Sequence, residues 1–256
     1  MEVIKKKVGE LEVSVWSNRL ESGAAAGRDT ADRIKKLIEE KGEARVVFAA
    51  APSQNESLEY LKNSDVDWTK VRAFHLDEYV DLRADHPARF GTFLRRALFD
   101  HVSFKQIHFL YQEGLEAEEM VKQYSALLAQ YPPDLMLLGV GENGHLAFND
   151  PAVADFDDPE VVKVVELDEI CRMQQVNDGC FGSLDEVPMR AMTITLGGLK
   201  RIPQHVTVVP GIRKADAVKA MLTGPITAEC PASMLRTSSG GKLYLDRDSA
   251  SLAFDL

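Results

Sequence analysis

Two stretches of this chain set acid–base side chains against apolar runs. In Phe74-His75-Leu76-Asp77-Glu78-Tyr79-Val80, two carboxylates follow the apolar run 71–76. A carboxylate held among apolar neighbours has a raised pKa and can act as a general base. The same pair also reads as a helix cap or a solvated turn. His75 and Asp77 would share one face of an extended strand, as two metal ligands do, but no third ligand lies nearby. The second stretch is Gly139-Val140-Gly141-Glu142-Asn143-Gly144-His145-Leu146-Ala147-Phe148-Asn149-Asp150-Pro151. Glycines at 139, 141 and 144 let the backbone pass close to a ligand, which makes Gly141 a binding candidate. His145 lies inside this glycine-punctuated turn, with Asp150 five residues on. An imidazole there can take and return a proton near neutral pH.

Two further loops follow apolar runs. Ala51-Pro52-Ser53-Gln54-Asn55-Glu56 leads into a helical pattern. Free N–H groups at a helix start bind anions, so Ser53 and Gln54 are phosphate candidates; a plain N-cap accounts for the same residues. The loop has no glycine, so it is neither a Walker loop nor a dinucleotide fingerprint. Pro210-Gly211-Ile212-Arg213-Lys214 places two cations where a helix dipole disfavours them. A bound anion would offset that conflict, and a solvated basic turn is the other reading.

The elements that position these loops alternate. Strand candidates are 11–16, 46–50, 71–76, 107–110, 135–140, 192–196, 206–209 and 242–245. Several are continuously apolar, as strands covered on both faces are. Between them, 24–41, 56–62, 89–101, 116–130 and 213–222 carry apolar residues at helical spacing. The alternation predicts an α/β fold in one domain over 1–256, with a mainly parallel twisted sheet and helices on both faces, Rossmann-like. Ligands of such sheets sit beyond the carboxyl ends of the strands.

Composition bounds the function. With 256 residues and 45% hydrophobic content the chain can bury a sizeable core. Thirty basic against forty acidic side chains give a net charge of −10, which disfavours nucleic acid and anionic membrane as partners. No apolar run approaches the ~18 residues of a membrane span, and the first ten residues lack the apolar stretch of a secretory leader. Cys171, Cys180 and Cys230 form no disulfide framework and match no zinc spacing, which predicts reduced thiols in a cytoplasmic protein. The six histidines make no recognisable ligand set, so no metal is expected.

Taken together, Phe74–Val80 (F-x-x-D-E-Y), His86-Pro87 with Phe90 and Phe93, the Gly-His-x-Ala-Phe-Asn stretch, Val187-Pro188 with Ala191-Met192-Thr193, and Gly211 through Lys214 resemble the glucosamine-6-phosphate deaminase/isomerase family across nearly the whole chain. The related 6-phosphogluconolactonases share the fold and the Gly-His pair. The resemblance implies a cofactor-free reaction of amino-sugar metabolism. The ring of glucosamine 6-phosphate opens, a proton moves from C2 to C1, and the amine leaves as ammonia, giving fructose 6-phosphate. It aligns the base with Asp77, the ring-opening histidine with His145, its orienting carboxylate with Asp150 and the phosphate lysine with Lys214.

The chain departs from the family at three places. Asn143 stands where the family has Asp, which removes a negative charge beside His145. The phosphate loop is Ala51-Pro52-Ser53-Gln54-Asn55 rather than rich in Gly, Thr and Ser. The family's phosphate arginine has only Arg172 to match it, at a poor spacing, and Arg89 offers either a replacement cation or a surface arginine. The partner implied is a small sugar phosphate; a homo-oligomer stays open. The alternatives are a lactonase-like hydrolase, an isomerase of another sugar phosphate, and a non-catalytic sugar-phosphate-binding regulator.

Overall fold

The computed structural model describes residues 1–255. In chain order the strands are β1 (Glu2–Val8), β2 (Leu11–Trp16), β3 (Ala44–Phe48), β4 (Val71–His75), β5 (Asp77–Tyr79), β6 (Gln106–Ile107), β7 (Leu135–Leu138), β8 (Val162–Glu166), β9 (Arg190–Ile194), β10 (Gln204–Val209) and β11 (Gly241–Asp246). The helices are α1 (Arg19–Lys41), α2 (Asn55–Lys62), α3 (Phe90–Leu94), α4 (Ala117–Gln130), α5 (Glu169–Asn177), α6 (Leu196–Leu199), α7 (Ala215–Thr223) and α8 (Arg247–Ala250). Eight strands form one sheet in the order β1-β2-β11-β10-β7-β3-β4-β6. Every pairing in it is parallel except β1 with β2.

The inner strands explain the cover. Val46 and Phe48 of β3 pack into one apolar layer and Val47 into the other; β7 divides likewise, Leu135 and Leu137 against Met136 and Leu138. Ile34 and Leu37 of α1 and Leu58 and Leu61 of α2 fill the first layer. Met120, Tyr124 and Leu128 of α4 and Val218 and Met221 of α7 fill the second. Helix α1 begins before the apolar spacing does, because the Asn18 side chain accepts the Glu21 N–H at its start. No helix among the described residues is long and apolar enough to cross a membrane.

A second sheet, absent from the sequence reading, has the order β5-β9-β8 and is antiparallel throughout. Leu76 is the branch point. Its N–H bonds Phe48 O of the main sheet, and its carbonyl accepts the Ile194 N–H of β9. The residues after β4 therefore turn off the main sheet and pair Asp77 with Thr193 and Tyr79 with Ala191. The helical stretch 89–101 is also divided: α3 gives way to a wider π turn over Arg95–Phe99.

The main sheet reverses its order beside β3 and β7. From β3 the chain proceeds outward through β4 to β6; from β7 it proceeds the other way through β10 to β11. That reversal opens a crevice at the carboxyl ends, where this architecture places its ligands.

Candidate active site

The crevice is lined by the ends of β3, β4, β7 and β10. Its walls include Ser53, Asp77, Phe90, Gly141, His145, Phe148, Gln174 and Lys214.

The adjacent carboxylates at the end of β4 have different surroundings. Glu78 is 1% exposed and its oxygens accept the N–H groups of Tyr79, Phe90 and Gly91. It caps α3, and Arg89 Nη1 lies 3.6 Å away. Asp77 points into the crevice at 7% exposure, and among the described residues no donor or cation engages its carboxyl. Burial and the neighbouring Glu78 charge push that carboxyl well above the usual carboxylate range. The cap reading thus holds for Glu78, and the conditions for a base fall to Asp77.

His75 has no role in the crevice. Its Nε2 accepts the Leu110 N–H at 2.9 Å, so Nδ1 carries the proton and donates to Asp77 O at 2.9 Å. Burial depresses its pKa to about 4, which fixes this neutral tautomer and leaves no nitrogen for a metal.

The loop after β7 folds tightly around its histidine. The Gly141 N–H bonds His145 O, and the Gly144 N–H bonds Gly141 O. A Cβ on Gly141 would lie 2.2 Å from the His145 ring, so only glycine fits beneath it. His145 Nδ1 sits 2.9 Å from Asp150 Oδ1. The Asn143 amide donates to Asp150 Oδ1 at 3.0 Å and to Asp168 Oδ2 at 3.2 Å, while its oxygen accepts the His145 backbone N–H. Burial pushes the Asp150 carboxyl up, but His145 and Asn143 outweigh it and hold it below the usual range. Asn143 touches the two carboxylates and the histidine backbone rather than the imidazole.

The anion-binding candidates separate. Lys214 ends the short turn Ile212–Lys214 after β10, is 7% exposed, and makes no ion pair among the described residues. Burial lowers its pKa. Its neighbour Arg213 is instead paired with Glu142 and Asp178, each at 3.2 Å. Ser53 lines the crevice. Gln54 does not; it is fully buried, and its amide reaches Ser53 Oγ and Val208 O.

Neither alternative arginine reaches the crevice. Arg172 donates to Leu184 O and Val187 O, so the guanidinium closes the turn Leu184–Glu186 instead of facing a phosphate. Arg89 is a buried residue, not a surface one. It donates to Tyr79, Leu82 and Arg83 carbonyls and stacks on Tyr111 at 3.4 Å.

Sequence reasoning missed three residues here, all from α5 and its cap. Asp168 caps α5 by accepting the Cys171 N–H and also receives the Asn143 amide. Gln174 accepts the Glu142 N–H at 2.8 Å and faces the crevice. Cys171 lies against Asp150. Asp168 at the start of α5 is an N-cap signal, but it is visible only once a helix is placed there.

Residues 18–245 match the model of the family described as glucosamine-6-phosphate isomerases/6-phosphogluconolactonase. A glucosamine-6-phosphate deaminase of Exiguobacterium sibiricum is 35% identical over 197 residues, 77% of this chain and 76% of that protein. One of Bacillus cereus is 33% identical over 219 residues, 86% of this chain and 82% of that protein. The solved structure of a monomeric glucosamine-6-phosphate deaminase superposes with a TM-score of 0.84 at 28% identity, covering 94% of this chain and 99% of that one. The 6-phosphogluconolactonase of Trypanosoma brucei shares the fold, with a TM-score of 0.77 at 18% identity over 97% of this chain and 99% of that one. This chain belongs to the glucosamine-6-phosphate isomerase/6-phosphogluconolactonase family.

Proposed function

We propose that the chain is a cofactor-free amino-sugar-phosphate deaminase/isomerase that converts glucosamine 6-phosphate, or a close analogue, and water to fructose 6-phosphate and ammonia. The observation that carries this reading is the pairing of two acid–base groups in one crevice with a buried, unpaired cation. Asp77 is an unpartnered carboxyl held in apolar surroundings, and His145 is backed by Asp150. Lys214 is a buried ammonium without a counter-ion. A binding protein needs the cation alone; the other two groups suit proton transfer.

In this reading Lys214, with the Ser53 loop, holds the phosphate. The His145 imidazole moves a proton between the ring oxygen and the C1 hydroxyl, opening the sugar. Asp150 holds the ring in place and stabilises it while it carries the proton. Asp77 then takes the proton from C2 and returns it to C1 on the same face. The C2 imine that results is hydrolysed, and ammonia departs. Asp77 suits this work because desolvation makes its carboxylate a stronger base than an exposed one.

We further assign residues 1–256 to one catalytic domain, since Met192 and Ile194 of the small sheet share an apolar layer with Leu138 and Val209 of the large one. The free thiols and the charge of −10 support a cytoplasmic enzyme whose partner is a small sugar phosphate, not nucleic acid. The test is ammonia release from a panel of 2-amino-sugar 6-phosphates and their unphosphorylated forms. Release confined to a phosphorylated amino sugar is expected. Lactone hydrolysis without ammonia release would assign the crevice to the other branch of the family.

A further inference from the structure

We propose that His145 Nδ1, a carboxylate oxygen of Asp150 and Cys171 Sγ form an inhibitory binding site for Zn2+ or a similarly soft divalent cation. The three ligand atoms lie within 4.8 Å of one another, and all three residues are buried. Nitrogen, oxygen and sulfur donors together suit zinc. Donors about 2.0–2.3 Å from a tetrahedral ion stand roughly 3.3–3.7 Å apart, so the seat is reached by movements of about an ångström.

One of the donor atoms is otherwise idle: Asp150 is 0% exposed, yet its Oδ2 has no hydrogen-bond partner. His145 Nδ1 is engaged by Asp150 Oδ1 alone, at 2.9 Å. The surroundings are already those of a metal ligand set. The Asn143 amide orients the carboxylate from behind. The Asp168 cap fixes the backbone that carries Cys171. No sequence spacing announces the site, because residues 145, 150 and 171 meet only when the loop after β7 closes on α5.

Binding forms a sulfur–zinc, a nitrogen–zinc and an oxygen–zinc bond. The thiol releases its proton to solvent, and Nδ1 binds through its lone pair, a proton there moving to Nε2 of the neutral ring or, from a protonated ring, to solvent. Nothing is oxidised or reduced. The occupied site takes His145 and Asp150 out of proton transfer. That the ion inhibits rests on the proposed role of His145; that it binds does not.

The test uses the full chain, Cys171→Ala and Cys180→Ala, each measured against its own metal-free rate of ammonia release. Zn2+ is expected to inhibit the parent and Cys180→Ala, with recovery on chelation. Cys171→Ala should need at least about tenfold more Zn2+ for the same effect. In parallel, Co2+ added to the parent should give the near-ultraviolet thiolate-to-metal absorption band, and Cys171→Ala should lack it. This band needs no turnover, so it still decides the binding site if the deaminase reading fails. Cys171→Ser, of similar volume, replaces the alanine variant if that one does not fold. Equal Zn2+ sensitivity in a folded Cys171 variant, a Co2+ band that survives there, loss of the band in Cys180→Ala, or activation by Zn2+ would each overturn the proposal.

Discussion

Replacing Asn143 by aspartate should destabilise this chain rather than simply add charge beside His145. The Asn143 NH2 donates to Asp150 at 3.0 Å and to Asp168 at 3.2 Å, and a carboxylate can donate to neither. Two like charges about 3 Å apart repel by roughly 5 kcal/mol at an effective dielectric near 20. At 1.36 kcal/mol per pKa unit, that keeps the new carboxyl protonated at neutral pH. It then donates one hydrogen bond where the amide made two. Losing one bond to a charged partner costs about 1.5–3 kcal/mol, or roughly 3–12 °C in Tm for a chain of this size. The pH dependence has a definite sign. A carboxyl whose folded pKa is raised contributes most below its unfolded pKa and loses that contribution as pH rises through the folded value. The deficit of Asn143→Asp against the parent should therefore equal this hydrogen-bond loss near pH 4 and grow beyond it toward pH 8. Parallel thermal melts across this range measure it. Equal melting temperatures at pH 8, or a deficit that ignores pH, would show that the amide does not bridge the two carboxylates.

Asp77→Asn should lower turnover at least ~10²-fold while changing substrate binding far less, which single-turnover and binding measurements separate; near-normal turnover in the folded variant removes Asp77 from the chemistry. The same raised carboxyl makes two pH effects. Activity should fall on the acid side at a higher pH than an ordinary carboxylate gives, and this limb should vanish from the residual rate of Asp77→Asn. Because the ionised Asp77 costs stability as pH rises through its folded pKa, Asp77→Asn should melt above the parent at alkaline pH; lower melting there would contradict the burial argument. Lys214→Ala should weaken phosphorylated ligands and leave unphosphorylated ones nearly unaffected, and equal weakening of both in a calorimetric titration would make Lys214 structural. Chelators should leave the rate unchanged or raise it, whereas loss of activity restored by one divalent ion would refute the metal-free reading.

The sequence made the large sheet legible because its inner strands carry continuously apolar runs, Val46–Phe48 of β3 and Leu135–Leu138 of β7, a pattern that suits two-sided burial. It hid the small sheet for a related reason. β5 has three residues, Asp77–Tyr79, and two of them are acidic; they become a strand because Leu76 hands the chain from Phe48 to Ile194. α5 was equally hidden. Its stretch Glu169–Asn177 carries charged and amide side chains on most faces, with Cys171, Gln174 and Gln175 as the buried ones. Buried glutamines give no apolar period to read. The loop after β7 was legible through its glycines, since a close approach leaves a mark on residue type. The partners of Asn143 were not, because a side chain's hydrogen bonds depend on residues far away in sequence.

Asp77 and Glu78 show how far residue type underdetermines role. Alternation along β5 sends the two carboxyls in different directions. Burial raises the pKa of both, so desolvation alone does not distinguish them. The difference is what each carboxyl meets. Three backbone N–H groups and the Arg89 guanidinium pull the Glu78 pKa back down, and those bonds are also what anchors α3. A substrate competing for Glu78 would have to break all of them. Asp77 has no such partners, so its desolvation is uncompensated until a ligand arrives. A cationic amino group on that ligand, or Lys214 brought into play through its phosphate, would supply the missing positive charge. The energy of binding is then partly spent on ionising the base, which ties the proton transfer at Asp77 to the presence of the charged sugar.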